Sequence, residues 1–316
     1  FYMELITDIR MIFMYNNGVI GIGKQMKDTK FRLGKLKKIL LVLCLIFVVV
    51  TVAYGIESAI IYNRQPSTKY VQSTRPTLFF HGFGSGSLAE RHMARAAVKS
   101  GVTNTVIEAN VDKSGNVTLD GKIEKSAINP IVLVNYEDNK NPNYRQDGRY
   151  ALAVVKKLQD EYGFTEMNMV GHSMGNMSIM YYMLDNSGYR TLPKLVKQVD
   201  IAGHFDGILA YDFDENTALD KENGKPSIMT ETYKELTRIR DVYPENQIDV
   251  LNIFGDRGDG GDGAVSIISS KSLRYLVEGK AKSYREELIK GKGGKHSKLH
   301  ENEEVDKLLI DFIWGK

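Results

Sequence analysis

The chain has 316 residues, of which 42% are hydrophobic and 26% are charged, and its formal net charge is only +3. These values are typical of an ordinary globular protein, and they predict no binding of nucleic acid. The one cysteine, Cys44, lies in an apolar run near the N-terminus. The globular part is therefore predicted to hold no disulfide and no cysteine-ligated metal.

The N-terminal region predicts a membrane segment. Residues 39–56 carry no charged side chain and are about as long as the shortest helix that crosses a bilayer. Lysines and arginines are concentrated just before this run, and such a basic flank stays in the cytoplasm. We therefore predict a basic cytoplasmic segment at 1–38, a transmembrane anchor at 39–56 and a C-terminal domain outside the membrane. A signal-peptide core at 39–56 is the alternative, and its cleavage would release the domain.

Two further expectations concern the chain on either side of this segment. Met26 begins a compact basic stretch that leads into the apolar run, so residues 1–25 are expected to lie upstream of the natural protein. Residues 57–75, which are polar from Asn63 onward, predict a linker.

The pattern from residue 76 to the C-terminus predicts one α/β domain. A glycine-rich turn follows its first strand, and Ser87 is predicted to cap the next helix with Glu90 completing a capping box. Apolar runs predict strands at 77–81, 106–111, 117–119, 131–134, 167–170, 196–202 and 248–254. Helical spacing appears at 151–162, 177–184 and 305–312. This alternation predicts a mainly parallel central sheet with helices on both faces. The polar segment 206–244 is interpreted as a small lid-like insertion.

The segment Gly171–Gly175 reads Gly-His-Ser-Met-Gly and matches G-x-S-x-G between a predicted strand and a predicted helix. In that context the serine lies on a strained turn that exposes its hydroxyl, so Ser173 is the predicted nucleophile. The backbone amide of Met174 can then face a developing oxyanion. A second donor should follow an earlier strand, and Phe83 is chosen. His81 and His172 are expected to pack or hydrogen-bond within these two turns.

A serine hydroxyl needs a base, usually a histidine that a carboxylate orients. Three histidines follow Ser173. His296 is favoured because it lies directly before the last helix, and His300, four residues later, is the runner-up. His204 is disfavoured because it precedes the candidate acids and so breaks the order Ser, Asp, His.

The orienting acid should follow the strand at 248–254, where the loop offers Asp256, Asp259 and Asp262. Asp262 is favoured as the acid. A calcium site in this loop is a weaker alternative, because the spacing of the aspartates does not match an EF-hand.

Several longer segments carry a family resemblance. They are FFHGFGSG (79–86), NPIVLVNYEDN (129–139), MNMVGHSMGN (167–176), VDIAGHFDGI (199–208), NIFGDRGDGGDGAVSIISSKSLRYL (252–276) and KHSKLHENEEVDKLLIDFIW (295–314). With these segments the sequence resembles the proteins named as cell-surface hydrolases of Gram-positive bacteria, an α/β-hydrolase family of largely unknown function. The resemblance implies an α/β-hydrolase fold, a triad at Ser173, Asp262 and His296, and a secreted or membrane-anchored location. It implies no particular substrate.

The predicted function is that of an extracytoplasmic lipase- or esterase-like serine hydrolase, which cleaves carboxylic esters through an acyl-enzyme without a metal or organic cofactor. The expected partners are a small or lipid-like ester and, through the N-terminal helix, the membrane. An amidase, a peptidase or an acyltransferase on the same fold stays open as an alternative, as does a non-catalytic surface binding protein.

Overall fold

The computed structural model describes residues 37–52, 55 and 64–316. It divides into a unit up to residue 60 and a unit from residue 61 onward. The first unit contains the helix α1 (residues 37–52), with Gly55 also helical. Among the described residues, none of the helices combines the length and the apolar character that crossing a membrane requires. Three parts of the predicted N-terminal region lie outside the described residues: residues 1–36 of the basic segment at 1–38, residues 53, 54 and 56 of the apolar run, and residues 57–63 of the linker at 57–75.

The second unit is built on one eight-stranded sheet. Its strands, in chain order, are β1 (Thr77–Phe80), β2 (Val106–Val111), β3 (Val117–Asp120), β4 (Ile131–Tyr136), β5 (Glu166–His172), β6 (Lys194–Ile201), β7 (Asp249–Asp256) and β8 (Ser283–Lys290). They lie in the order β3-β2-β4-β1-β5-β6-β7-β8. Of these eight strands only β3 is antiparallel, because it forms a hairpin with β2.

Helices cover both faces of the sheet. They are α2 (Ser87–Ser100), α3 (Tyr144–Tyr162), α4 (Met174–Asn186), α5 (Glu231–Leu236), α6 (Ile239–Val242), α7 (Ile267–Lys271), α8 (Leu273–Val277), α9 (His296–Leu299) and α10 (Glu303–Trp314). Strand β1 shows how two cores arise. Leu78 and Phe80 belong to one apolar cluster, and Phe79 belongs to the other, because successive side chains of a strand point to opposite faces. The predicted α/β-hydrolase fold class is confirmed.

The segment at 206–244 has two different halves. Residues 207–230 are irregular, with one antiparallel bridge between Leu219 and Pro226. The second half carries α5 and α6, and its residues Tyr233, Leu236 and Ile239 are fully buried in the core cluster that contains Phe80. Only the first half of the segment is therefore a polar addition beside the sheet.

Two local features differ from the expectation. The N-cap of α2 is Gly86 and not Ser87, so the capping-box prediction was wrong. The Ser87 amide instead donates to the Asn135 Oδ1 at 3.2 Å. Glu90 points into the protein and is 1% exposed, and neither of its carboxylate oxygens has a hydrogen-bond partner within the described residues. Strand β8 was not predicted, because its sequence SYREELIK is mostly polar and its position at the edge of the sheet demands no continuous apolar run.

Candidate active site

Ser173 lies on the turn between β5 and α4, at the carboxyl end of the parallel strands. Its backbone has φ 53° and ψ −119°, a conformation that is costly for a residue with a Cβ. Its amide donates a hydrogen bond of 2.9 Å to the carbonyl oxygen of Ile201 on the neighbouring strand β6. The sheet therefore holds the strained turn in place.

The two glycines of the motif are required by close backbone contacts. A Cβ at Gly171 would lie 2.7 Å from the Asn176 nitrogen. A Cβ at Gly175 would lie 2.1 Å from the carbonyl oxygen of Phe80, so α4 passes β1 at a distance that only glycine allows. The pattern G-x-S-x-G is thus explained by packing at both glycine positions.

Ser173, His296 and Asp262 form one hydrogen-bonded row. The Ser173 Oγ lies 2.8 Å from the His296 Nε2, and the His296 Nδ1 lies 2.8 Å from the Asp262 Oδ2. A carboxylate only accepts, so the Nδ1 carries the proton and the Nε2 is free to accept from the serine hydroxyl. The structure thus brings together the three residues that the sequence favoured.

Asp262 is held rigidly at the end of this row. Its side chain is 1% exposed. Its Oδ1 accepts hydrogen bonds from the amides of Ala264 (2.8 Å) and Val265 (2.7 Å), and its backbone oxygen accepts from the His296 amide (3.0 Å). Donors therefore contact both side-chain oxygens and fix the orientation of the carboxyl group beside His296.

The rejected acids lie elsewhere in the same loop. The Oδ1 of Asp256 accepts from the amides of Gly258 (2.8 Å) and Gly260 (3.1 Å). Asp259 forms an ion pair with Arg257 and is exposed. Neither contacts His296.

The loop that carries His296 packs tightly against the end of β7. A Cβ at Gly255 would lie 2.0 Å from the Gly294 oxygen, and a Cβ at Gly294 would lie 2.2 Å from the Ile289 oxygen. These two glycines let the loop before α9 lie directly on the strand ends. The contact brings the base beside the acid, which follows the same strand.

The two predicted oxyanion donors flank Ser173. Met174 is the first residue of α4, and Phe83 lies in the turn after β1. A Cβ at Gly82, next to Phe83, would be 3.1 Å from the Ser173 Cβ, so this turn lies against the serine. Within the part of the chain that the structure describes, neither amide donates a hydrogen bond to another protein group. Both are therefore available to an oxyanion.

Of the remaining histidines near the row, His81 and His204 are buried and His300 is partly buried, and burial favours the neutral form of each. His204 follows β6, its Nε2 is 3.2 Å from the Tyr144 hydroxyl, and burial lowers its pKa to about 4. His81 receives the Tyr136 amide at its Nε2 (3.1 Å), and burial lowers its pKa as well. His300 donates from its Nδ1 to the Ala89 oxygen (3.1 Å). None of them contacts Ser173.

His172 has a contact that the sequence did not indicate. It was expected to pack within its own turn, but its Nε2 lies 3.1 Å from the backbone oxygen of His296, 124 residues away. No local pattern in the sequence signals a contact of that separation.

The parallel sheet, the helices on its two faces and a serine on the turn after β5 are the features of the α/β-hydrolase class. The chain belongs to the family described as alpha/beta hydrolase of unknown function (DUF915), whose family model matches residues 64–316. No curated protein matches the chain.

Two solved structures extend this assignment. The product of gene lin2722 from Listeria innocua is 26% identical, with a TM-score of 0.67 over 76% of this chain and 94% of that chain. A protein from Lactobacillus plantarum WCFS1 that is called a cell surface hydrolase is 18% identical, with a TM-score of 0.59 over 78% of this chain and 91% of that chain. The family resemblance that the sequence motifs indicated is thereby confirmed.

Proposed function

We propose that this protein is a serine hydrolase that cleaves carboxylic esters through an acyl-enzyme. The observation that carries the proposal is the row of two 2.8 Å contacts from Asp262 through His296 to Ser173. A row of this kind turns a weakly nucleophilic hydroxyl into an attacking group, because the base takes the proton as the new bond forms.

In the first half of the reaction the Ser173 Oγ attacks the carbonyl carbon and its proton passes to the His296 Nε2. Asp262 stabilises the resulting imidazolium, and the amides of Phe83 and Met174 donate to the oxyanion. Collapse of the tetrahedral intermediate breaks the bond to the alcohol, which leaves with the proton from His296. In the second half water attacks the acyl-serine by the same route and releases the acid and free Ser173.

Esters are proposed rather than amides because an alkoxide is a much better leaving group than an amide anion, so cleavage of an ester depends less on protonation of the leaving group by His296. The exposed side chain of Phe83, at 58%, lies on the turn beside the serine and offers an apolar contact to an acyl chain.

The proposal is tested by treating the full chain with a fluorescent fluorophosphonate and locating the adduct by mass spectrometry. We expect a label on Ser173 that His296→Ala abolishes. The control is His92→Ala, which removes a histidine on α2 that pairs with Asp306 and should leave labelling unchanged. A folded protein that takes no label would refute the proposal. Esters, amides and acyl acceptors offered in parallel then identify the reaction, and amide turnover without ester turnover would contradict the choice of ester.

We further propose that the α/β unit lies outside the cytoplasmic membrane. Helix α1 carries only apolar side chains and Thr51 after Lys37 and Lys38, and its large apolar side chains are all more than half exposed. The relative from Lactobacillus plantarum is called a cell surface hydrolase, which agrees with this location. Protease treatment of intact cells that express the chain with a C-terminal tag should remove the tag, or the tag should appear in the medium. A tag protected until lysis would contradict the proposal.

A further inference from the structure

His172 directly precedes the serine and closes β5. Its side chain is 5% exposed, and its ring lies 5.1 Å from the ring of His296, centroid to centroid. The His172 Nε2 is 3.1 Å from the backbone oxygen of His296. A carbonyl oxygen only accepts, so the Nε2 must carry the proton and donate.

The other sides of the His172 ring are also in contact. A Cβ at Gly82 would lie 3.4 Å from the His172 Nδ1, so the turn that bears Phe83 packs against the imidazole. The ring of His300 meets it edge-on at 4.6 Å, and His300 is itself fixed by its bond to the Ala89 oxygen. The ring therefore has little freedom to rotate away from His296.

The surroundings of His172 keep its imidazole neutral. Burial, with smaller contributions from the neighbouring His296 and His300, lowers the pKa of His172 well below 6.5. The imidazole is thus neutral around pH 7, and its single proton is the one that the His296 oxygen requires.

The backbone of His296 is consequently held from both sides. Its amide donates to the backbone oxygen of Asp262 at 3.0 Å, and its carbonyl oxygen accepts from the His172 Nε2–H. Ser173 and His172 are neighbours in the chain, and both contact His296. Ser173 contacts its imidazole ring, and His172 contacts its backbone oxygen.

We infer that His172 is a positioning residue, whose bond to the His296 backbone sets the distance between the base and Ser173. This inference rests on the proposed function. Positioning of this kind affects the rate of reaction more than substrate binding, since a misplacement of about 1 Å can cost about 100-fold in rate.

The test compares two variants of His172 that carry the same amide group and differ only in the length of the side chain. His172→Gln places an amide N–H near the position of the imidazole Nε2–H, whereas the side chain of His172→Asn is one methylene too short. With an activated ester we expect His172→Gln to keep kcat within about 5-fold of the natural protein. His172→Asn should lower kcat about 10- to 100-fold with KM nearly unchanged. The rate of labelling by the fluorophosphonate should fall in parallel with kcat.

Two further measurements separate positioning from general damage. Thermal unfolding should occur at similar temperatures in the two variants. The downfield proton resonance of the His296 Nδ1–H, which reports its bond to Asp262, should shift or broaden in His172→Asn and persist in His172→Gln. Equal losses of kcat in both variants, or none in His172→Asn, would overturn the inference.

A measurement on the natural protein also tests the inference. The ¹⁵N chemical shifts of His172 in the natural protein should show the Nε2–H form, and the Nδ1–H form would overturn the assignment even if neither variant folds. Failure of the proposed function looks different, because the natural protein itself would then take no label at Ser173.

Discussion

Asp262 is the residue whose replacement most directly tests the role of the acid. Its Oδ2 lies 2.8 Å from the His296 Nδ1, and its Oδ1 already accepts two backbone amides. In Asp262→Asn, one side-chain atom becomes an NH₂ that cannot accept the Nδ1–H of the required tautomer. We expect kcat on an activated ester to fall about 1,000- to 10,000-fold.

The matched control is Asp259→Asn in the same loop. Asp259 pairs with Arg257 at the surface and does not contact His296, so kcat should stay within about 2-fold. Steady-state kinetics of both variants, with circular dichroism to verify folding, measure the difference. Equal kcat in Asp262→Asn and Asp259→Asn would mean that Asp262 does not orient the base.

At the scale of elements, Gly175 joins the nucleophile helix to the central strand. An added Cβ would lie 2.1 Å from the Phe80 oxygen, so Gly175→Ala must push α4 away from β1. We expect the free energy of unfolding to fall by about 3 kcal/mol, as in an overpacked core, and labelling of Ser173 to be lost. Urea denaturation and fluorophosphonate labelling measure the two effects.

Gly188, just beyond the end of α4, provides the control for this glycine. A Cβ there would meet nothing within 4 Å, and Gly188→Ala should leave both stability and labelling unchanged. If Gly175→Ala were as stable as Gly188→Ala, the close approach of α4 to β1 would not be what demands glycine in the motif.

Elements with a strong local signal could be predicted from the sequence. The helical spacing at 151–162 lies within α3, which ends at Gly163 in the left-handed conformation that glycine favours after a helix. The G-x-S-x-G motif, the loop after the strand at 248–254 and the position before the last helix favoured Ser173, Asp262 and His296, and these residues lie together in the structure. Such motifs can meet because parallel strands bring their carboxyl ends to one edge of the sheet.

Features that depend on distant parts of the chain could not be predicted. Strand β8 is identified only by its pairing with β7, since its own sequence is charged. The capping-box prediction placed the Glu90 side chain at the start of α2, but tertiary packing buries that side chain. The donor role of His172 depends on a loop 124 residues away. In each case tertiary contact, rather than local propensity, decides the outcome.

At the scale of the whole molecule, buried acids tie stability to pH. Burial also raises the pKa of Asp200 to about 7 and of Asp206 to about 6, but the pKa values of Glu90 and Asp147 are raised further. Glu90 and Asp147 have no hydrogen-bond partner for their carboxylate oxygens within the described residues. Burial raises the pKa of each to about 8, from 4.5 for Glu90 and 3.8 for Asp147. Between the unfolded and folded pKa values the folded state holds the extra proton, so stability must fall as pH rises.

The buried histidines have the opposite effect on the pH dependence of stability, and they have it at lower pH. Burial lowers the pKa of His172 and His204 from 6.5, so their stabilising effect is lost as pH falls below 6.5 and is constant above it. Above pH 6.5 only the acids change protonation among these groups, so stability should fall as pH rises from 6.5.

We therefore expect urea denaturation to show lower stability at pH 8.0 than at pH 6.5, by about 1–2 kcal/mol for each of the two acids. In Glu90→Gln, which cannot ionise, the loss should be smaller by about that amount. Glu304→Gln removes an exposed acid near the start of α10 and should keep the full loss. Stability that rises between these pH values, or that falls equally in Glu90→Gln and the natural protein, would mean that Glu90 is ionised in the fold and has a partner there.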